Sequence, residues 1–228
     1  MTLVIGDISV SVDGFVTGPD PGPDAGLGRG GEELHRWVGS GAASDRETLD
    51  RAAEAGAVVM GRRLFDVVDG PHGWTDGTGY GADRDARPPL VVVTALPPGR
   101  PRLAATHDLT FVTDGLRPAV EQARRLAGVR DVYVMGGAAT VRGCLDVGLL
   151  DLLRLHVAPV VLGGGTPLFA AAAPRSLRQV EVVVGGAALH VTYETRARND
   201  RTRSPSSEAA SASYAGREGS ANRCSSPG

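Results

Sequence analysis

The stretch that most constrains this chain is Asp131 to Phe169, DVYVMGGAATVRGCLDVGLLDLLRLHVAPVVLGGGTPLF. A short apolar run, Val132 to Met135, leads into Gly136-Gly137 and then into a helical segment that Gly148 is placed to cap. A strand that passes through glycines into a helix start brings backbone N–H groups close to whatever lies above it. The glycines remove the Cβ atoms that would obstruct approach, and the helix N-terminus carries partial positive charge. Ala138, Ala139 and Thr140 continue the small-residue surface into the first turn. Two readings are open from the glycine pair alone: a phosphate cradle, or a tight strand-to-helix turn packed into a core.

Around this stretch the chain alternates strands and helices. Leu3 to Val12 reads as a strand ending at the turn signal Asp13-Gly14, and Thr17 to Gly31 as a glycine- and proline-rich surface loop. Gly26, Gly28 and Gly31 match G-x-G-x-x-G literally, but no strand precedes them, so they are no dinucleotide fingerprint. Glu32 to Val38 reads as one or two helical turns and Asp45 to Ala55 as an amphipathic helix. Ala57 to Met60 is a buried strand running directly into Gly61-Arg62-Arg63 and a second helix. Another loop, Asp69 to Pro89, precedes strands at Leu90 to Val93 and Leu109 to Val112 and a helix at Leu116 to Ala127, with Pro118 in its first turn. Leu152 to Val161 alternates one apolar and one partly polar face, and Pro159 marks an edge or break. Val180 to Val184 and Ala187 to Thr195, joined by Gly185-Gly186, read as a hairpin with a two-residue turn. The expected fold is α/β, a mostly parallel mixed sheet of about eight strands with a C-terminal antiparallel hairpin.

The 228 residues, 42% hydrophobic and with a formal net charge of −2, suit a globular domain at 1–196. From Ala197 the composition shifts to Ser, Ala, Arg and Gly, and 197–228 is expected to be a disordered tail. No basic stripe points to nucleic acid and no apolar run is long enough to span a bilayer, so a soluble, cytoplasmic protein is expected. Cys144 and Cys224 form no disulfide framework, and Cys144 reads as an inert packed thiol. The five histidines, His35, His72, His107, His156 and His190, lack metal-ligand spacing and read as structural or surface groups; no metal is expected.

Three strand ends fall into line: Met60 before Gly61-Arg62-Arg63, Val93 before Thr94, and Met135 before Gly136-Gly137. Open α/β sheets bind ligands outside the carboxyl ends of their strands. One edge would then carry a glycine cradle, two cations and a hydroxyl, a set suited to a nucleotide with an additional phosphate, since arginine on the 2′-phosphate is how NADP is told from NAD. Two arginines at a helix N-terminus oppose the dipole and call for an anion, although a solvated helix start is the alternative.

VMGRRLF (Val59 to Phe65), VYVMGGA (Val132 to Ala138), Gly148 to Phe169, SVDGF (Ser11 to Phe15) and LHRW (Leu34 to Trp37) together resemble the dihydrofolate-reductase-like superfamily. The branch they are most similar to holds the reductase domain of riboflavin-pathway deaminase–reductases and bacterial dihydrofolate reductase family proteins. The resemblance spans Met1 to Thr195. It implies a three-layer α/β/α reductase that uses NADPH, acts on a small-molecule substrate and forms a homodimer. By the same resemblance Gly136, Gly137, Ala138 and Ala139 would hold the pyrophosphate. Gly61, Arg62, Arg63 and Thr94 would face the 2′-phosphate, Thr113 would lie near the adenosine, and Asp13 beside the nicotinamide. Two positions depart from the pattern: no motif supplies the substrate-binding carboxylate of true dihydrofolate reductases, and Phe15 stands where riboflavin-pathway enzymes usually carry a basic residue.

Hydride transfer needs alignment of cofactor and acceptor more than a nucleophile, so the absence of a triad motif does not weigh against an enzyme. Asp13 is the candidate proton donor, with a turn aspartate as the alternative. Trp37 and Gly164 are candidates for the substrate end, against core packing for the first and a plain turn for the second. The leading expectation is an NADPH-dependent reductase of a pterin- or aminopyrimidine-like heterocycle, with the reductase step of riboflavin biosynthesis as the best-named instance. A non-catalytic nucleotide-binding module and a dimeric scaffold are the alternatives.

Overall fold

Eight strands form one sheet in the order β4-β3-β2-β5-β1-β6-β8-β7. The computed structural model describes residues 2–75, 77–82 and 87–195, so the tail expected at 197–228 lies outside the described residues. The strands are β1 (Val4–Ser11), β2 (Ala57–Gly61), β3 (Leu90–Val93), β4 (Leu109–Val112), β5 (Val132–Met135), β6 (Leu152–Ala158), β7 (Arg178–Val184) and β8 (Leu189–Glu194). The first six pair in parallel; β8 runs antiparallel to both β6 and β7. The mixed α/β sheet with a terminal hairpin is therefore as the alternation of elements implied.

The helices are α1 (Ala43–Ala53), α2 (Arg62–Asp69), α3 (Leu116–Ala127) and α4 (Ala138–Asp146), with 3-10 turns at Gly31–Gly39 and Arg102–Ala105. Strand alternation sorts the core into two layers. On one face Val4, Ile8, Val59, Val91, Val132, Val134 and Leu153 pack against Val120 and Ala123 of α3 and Val141, Cys144 and Leu145 of α4. On the other, Ile5, Val58, Met60, Leu90, Val92 and Tyr133 pack against Phe65 and Val68 of α2, Ala55 beyond α1, and Leu103. The crossovers to β2 and β3 thus use one face and those to β5 and β6 the other. This places a topological switch at the centre of the sheet and all six parallel C-terminal ends along one edge.

Local chemistry accounts for the details. β6 ends at Ala158, just before Pro159, which cannot donate to a ladder. The hairpin turn sits one residue later than Gly185-Gly186 suggests: the Gly185 N–H donates to the Ala188 carbonyl (2.9 Å), making Gly186-Ala187 the central pair. Space restricts Gly185 to glycine, because a Cβ there would lie 1.9 Å from Asp45 Oδ1 in α1. Cys144 is fully buried and burial pushes its thiol up to about 12, the inert packed cysteine expected.

Candidate active site

Two helix starts meet at the sheet edge. Gly61, the last residue of β2, is followed at once by α2, and Gly136-Gly137, after β5, by α4. A Cβ on Gly61 would fall 2.3 Å from Thr140 Oγ1 in the first turn of α4, so β2 and α4 touch at this point. On the other side Leu64 of α2 lies beside the glycine pair, 3.3 Å from a Cβ built on Gly136 and 3.7 Å from one on Gly137. Gly136 and Gly137 have φ of 46° and 70°, a region that side chains disfavour. Neither helix has a side-chain N-cap. The first N–H groups of each, which point out of the N-terminus, are left for water or an anion. A glycine-lined turn at paired helix dipoles fits the pyrophosphate of a dinucleotide.

The sequence-derived residues divide along this edge. Gly61, Arg62, Gly136, Gly137, Ala138, Ala139 and Thr140 are brought together. Thr140 is buried against Gly61, which turns its hydroxyl toward β2. Arg62 is pinned rather than free: Nε donates to Asp66 Oδ1 (2.7 Å) and Nη1 to the Leu96 carbonyl. Arg63 beside it is exposed. Thr94 is buried and its hydroxyl donates to Leu96 O (2.9 Å), forming a tight turn that also receives Arg62. Thr113 lies one strand farther out, exposed at the end of β4, with its hydroxyl toward Asp114.

At the other end of the edge, Asp13 follows β1. Its two carboxylate oxygens accept the backbone N–H groups of Leu162 (3.1 Å) and Gly163 (2.7 Å). The Ser11 hydroxyl, with those amides, holds its carboxyl below the usual aspartate range. A carboxylate engaged by two backbone amides anchors the Gly163–Gly165 loop. Gly164 rests near Pro19, and a Cβ on Gly165 would lie 2.0 Å from Thr17 O, so this loop is clamped onto the one after β1. Trp37 is 5% exposed, and its indole N–H donates to Ser9 Oγ (3.0 Å). It is a packed group beneath the edge.

A constellation absent from the sequence reading lies on that same face. Asp7, Ser9, Arg154, His156, His190 and Thr192 are all buried side chains in adjoining registers of β1, β6 and β8. His156 Nε2 meets Asp7 Oδ1 at 2.5 Å, His156 Nδ1 meets His190 Nδ1 at 2.8 Å, and His190 Nε2 meets Asp45 Oδ1 at 2.9 Å. Trp37 packs against both rings, with centroids 4.5 and 5.0 Å away. Burial alone would raise the Asp7 carboxyl, but His156, Arg154 and Tyr80 more than offset it and hold it below the ordinary range. Asp45 is likewise lowered: desolvation opposes, while the Ser40 hydroxyl and His190 win. The Asp7 carbonyl accepts the Gly136 N–H (3.2 Å), which puts this chain of polar groups beside the cradle. The one available signal was parity, since Asp7, Ser9 and Ser11 alternate with Ile8 and Val10 along a strand. Among the described residues, no cluster of three or more His, Cys, Asp or Glu is arranged to hold a metal, and no helix is long and apolar enough to cross a membrane.

Residues 2–191 match the RibD C-terminal domain. The chain is 25% identical over 170 residues to the uncharacterized protein YyaP of Bacillus subtilis, covering 73% of this chain and 79% of that one. Among solved structures it is similar to a putative riboflavin biosynthesis protein from Shewanella sp. PV-4 (TM-score 0.60, 20% identity, 85% of this chain and 98% of that one). It is also similar to Acinetobacter baumannii RibD (TM-score 0.59, 18% identity, 85% of this chain), of which it spans 58%. A pyrimidine reductase-like protein from Corynebacterium diphtheriae shares the fold as well (TM-score 0.54, 14% identity, 85% and 91% covered). With nearly the whole described chain matched and the dihydrofolate-reductase-like sheet in place, this protein belongs to the RibD C-terminal domain family.

Proposed function

We propose that this chain is an NADPH-dependent reductase that passes a hydride to a small pterin- or aminopyrimidine-like heterocycle. The best-named instance is the 5-amino-6-(5-phosphoribosylamino)uracil reductase step of riboflavin biosynthesis. The observation that carries the reading is the contact of two uncapped helix starts at the C-terminal sheet edge, where a Cβ on Gly61 would strike Thr140 and the glycine pair adopts positive φ. Gly136, Gly137, Ala138 and Ala139 would bind the pyrophosphate. Arg62, held at the β2–β3 end by Asp66 and Leu96, would form one wall of the 2′-phosphate site, with exposed Arg63 as the mobile cation beside it. A bound NADPH would supply the hydride. The protein's share is to align donor and acceptor and to exclude water. Asp13 enters this reading as the clamp that keeps the Gly163–Gly165 loop, and Gly164 with it, at the nicotinamide end. The family and the pyrimidine-reductase-like and riboflavin-biosynthesis relatives support a heterocyclic acceptor.

Calorimetric titration with NADPH and NADH, followed by NADPH oxidation against pterins, aminopyrimidines and quinones, tests this. Tight NADPH binding with turnover of a nitrogen heterocycle is the expected result. Binding without turnover of any acceptor would leave a non-catalytic nucleotide module, and no binding would leave a scaffold. A homodimer belongs to the same proposal. Val180, Val182 and Val184 are 41%, 45% and 77% exposed along edge strand β7, an apolar strip that a second copy would cover.

A further inference from the structure

We propose that Asp7, His156, His190 and Asp45 form a buried proton relay that holds one proton in excess of two neutral imidazoles and two carboxylates, and that it supplies the proton accompanying hydride transfer. The second half rests on the reductase reading above; the first does not. The inference comes from counting hydrogens. Three contacts at 2.5, 2.8 and 2.9 Å join the four side chains in series, and each needs one hydrogen between its two heavy atoms. Two neutral imidazoles bring one each and two carboxylates bring none, leaving one contact a lone pair facing a lone pair. Whichever contact lacks its hydrogen, two lone pairs would face each other within 2.9 Å in a buried site, which is costly. The tetrad therefore carries a third hydrogen, shared along the line.

Its two ends face different surroundings. The outer carboxylate, Asp45, accepts the hydroxyl of exposed Ser40 and the Gly186 N–H (3.1 Å). The inner one, Asp7, lies one peptide from Gly136, level with the glycine pair. The groups packed around the line come from every neighbouring element. Arg154 (Nη1 3.8 Å from Asp7 Oδ2) and Tyr133 stand on the sheet, with Tyr80 above Asp7 from the loop after α2. His35 and Trp37 come from the Gly31–Gly39 turn, and Thr192 and Glu181 from the hairpin. His35 keeps surface in solvent, yet desolvation and nearby His156 bring it down to about 4, so it stays neutral beside the line. Arg154 balances the Asp7 charge, which leaves the surplus proton on the imidazole pair. Desolvation and the charge on His156 disfavour a second one at His190. A bound NADPH would supply hydride to the carbon of a substrate C=N or C=O bond, whose π pair would move onto the heteroatom. Asp7 passes a proton to that heteroatom while His156 and His190 each shift one along the line. Solvent at Ser40 restores the missing proton through Asp45.

Imidazole nitrogen and proton NMR of the full protein, with His190→Gln and His190→Phe, tests the relay. The glutamine can donate to Asp45 and accept from His156 Nδ1–H but cannot ionise or pass a proton on, which separates structure from proton transfer. Near neutral pH the wild type should show three N–H protons over His156 and His190, one strongly downfield, and His190→Gln two, both on His156. Two protons over the two wild-type rings would overturn the proposal. With NADPH and 5-amino-6-(5-phosphoribosylamino)uracil as probes, His190→Gln should bind NADPH with wild-type affinity but lose tenfold or more in kcat and gain a solvent isotope effect. An unchanged kcat and pH profile would overturn the transfer step. A wild type that binds NADPH but does not turn over this probe would overturn the transfer step for it. A wild type that binds no NADPH would remove the reductase reading, and the transfer step with it, while the proton count still decides the relay.

Discussion

Replacing Gly137 by alanine separates the two things the glycine pair does. At φ of 70° and ψ of 99°, outside the left-handed helical region, an alanine is strained by at least about 1–2 kcal/mol. The lower entropy of the unfolded alanine chain returns about 0.4–1 kcal/mol of this. No collision adds to it, because the new Cβ would meet only Leu64 Cβ and Thr140 Oγ1, each at an ordinary 3.7 Å. The net cost is therefore at least about 1 kcal/mol, or at least about 2–4 °C in Tm for a domain of this size. Gly148, past α4, is the control for positive-φ strain away from the sheet edge: its φ is 68° and a Cβ there meets nothing within 4 Å, so Gly148→Ala should lose stability through backbone strain alone. NADPH binding should then distinguish them. A methyl group at Gly137 stands between the α4 amides and a phosphate, and losing one charge-assisted hydrogen bond costs about 1.5–3 kcal/mol, a Kd at least about tenfold weaker. Gly148→Ala should bind as the wild type does. Thermal scans and calorimetric NADPH titrations of the three proteins decide the matter. Equal Kd values for wild type and Gly137→Ala would show that the cofactor does not approach this turn.

Reversing charge at Arg62 and Arg63 together should weaken NADPH far more than NADH in paired titrations, and equal losses would show that neither reads a 2′-phosphate. Asp13→Ala frees the Leu162 and Gly163 amides, so hydrogen exchange in the Gly163–Gly165 loop should accelerate while the NADPH Kd holds; unchanged exchange would remove the clamp. Asp7 and Asp45 titrate below their unfolded values, so the stability they contribute is fully present above about pH 4 and is lost as pH falls through the lower folded values. Urea midpoints should drop steeply over that acid range in the wild type and less steeply in Asp45→Asn, and parallel curves would refute the assignment. Val182→Glu on β7 should convert a dimer to monomer in sedimentation velocity; a wild-type monomer would remove the proposed pairing.

The glycine-lined sheet edge, one half of the candidate site, was legible because its signals are local. Strand, glycines and helix follow one another within Val132 to Asp146 and again within Ala57 to Asp69, and open α/β sheets bring such strand ends to one edge. The other half was not. Asp7 and His156 stand 149 positions apart, and His190 reaches Asp45 across 145. Only the register, Ser9 opposite His156 and His156 opposite His190, brings them together, and no single residue type announces it. Histidines without metal spacing are usually packing or surface groups, and taken singly these two are packed. Their chemistry exists only in series. Trp37 shows the same limit: the residue expected near substrate instead closes the far side of the imidazole pair.

β1 joins the two halves, and its parity fixes which chemistry each face receives. Ile8 and Val10 enter the layer beneath α3 and α4, while Asp7, Ser9 and Ser11 point to the layer of α1 and the Gly31–Gly39 turn. A slip of one residue against β6 would put Asp7 among valines and strand His156 without an anion, leaving a buried charge on one side and an unpaired imidazole on the other. The register is therefore defended from both faces at once. It is further fixed at the strand's start, where the Val4 N–H donates to Asp151 Oδ2 (2.9 Å), and at its end, where the Phe15 N–H donates to Ser11 Oγ (2.9 Å). The strand that carries the inner carboxylate is thus among the least free to move. A relay with gaps of 2.5 to 2.9 Å needs that immobility, because a displacement of about 1 Å directly along the Asp7–His156 contact would stretch it past the ordinary hydrogen-bonding range.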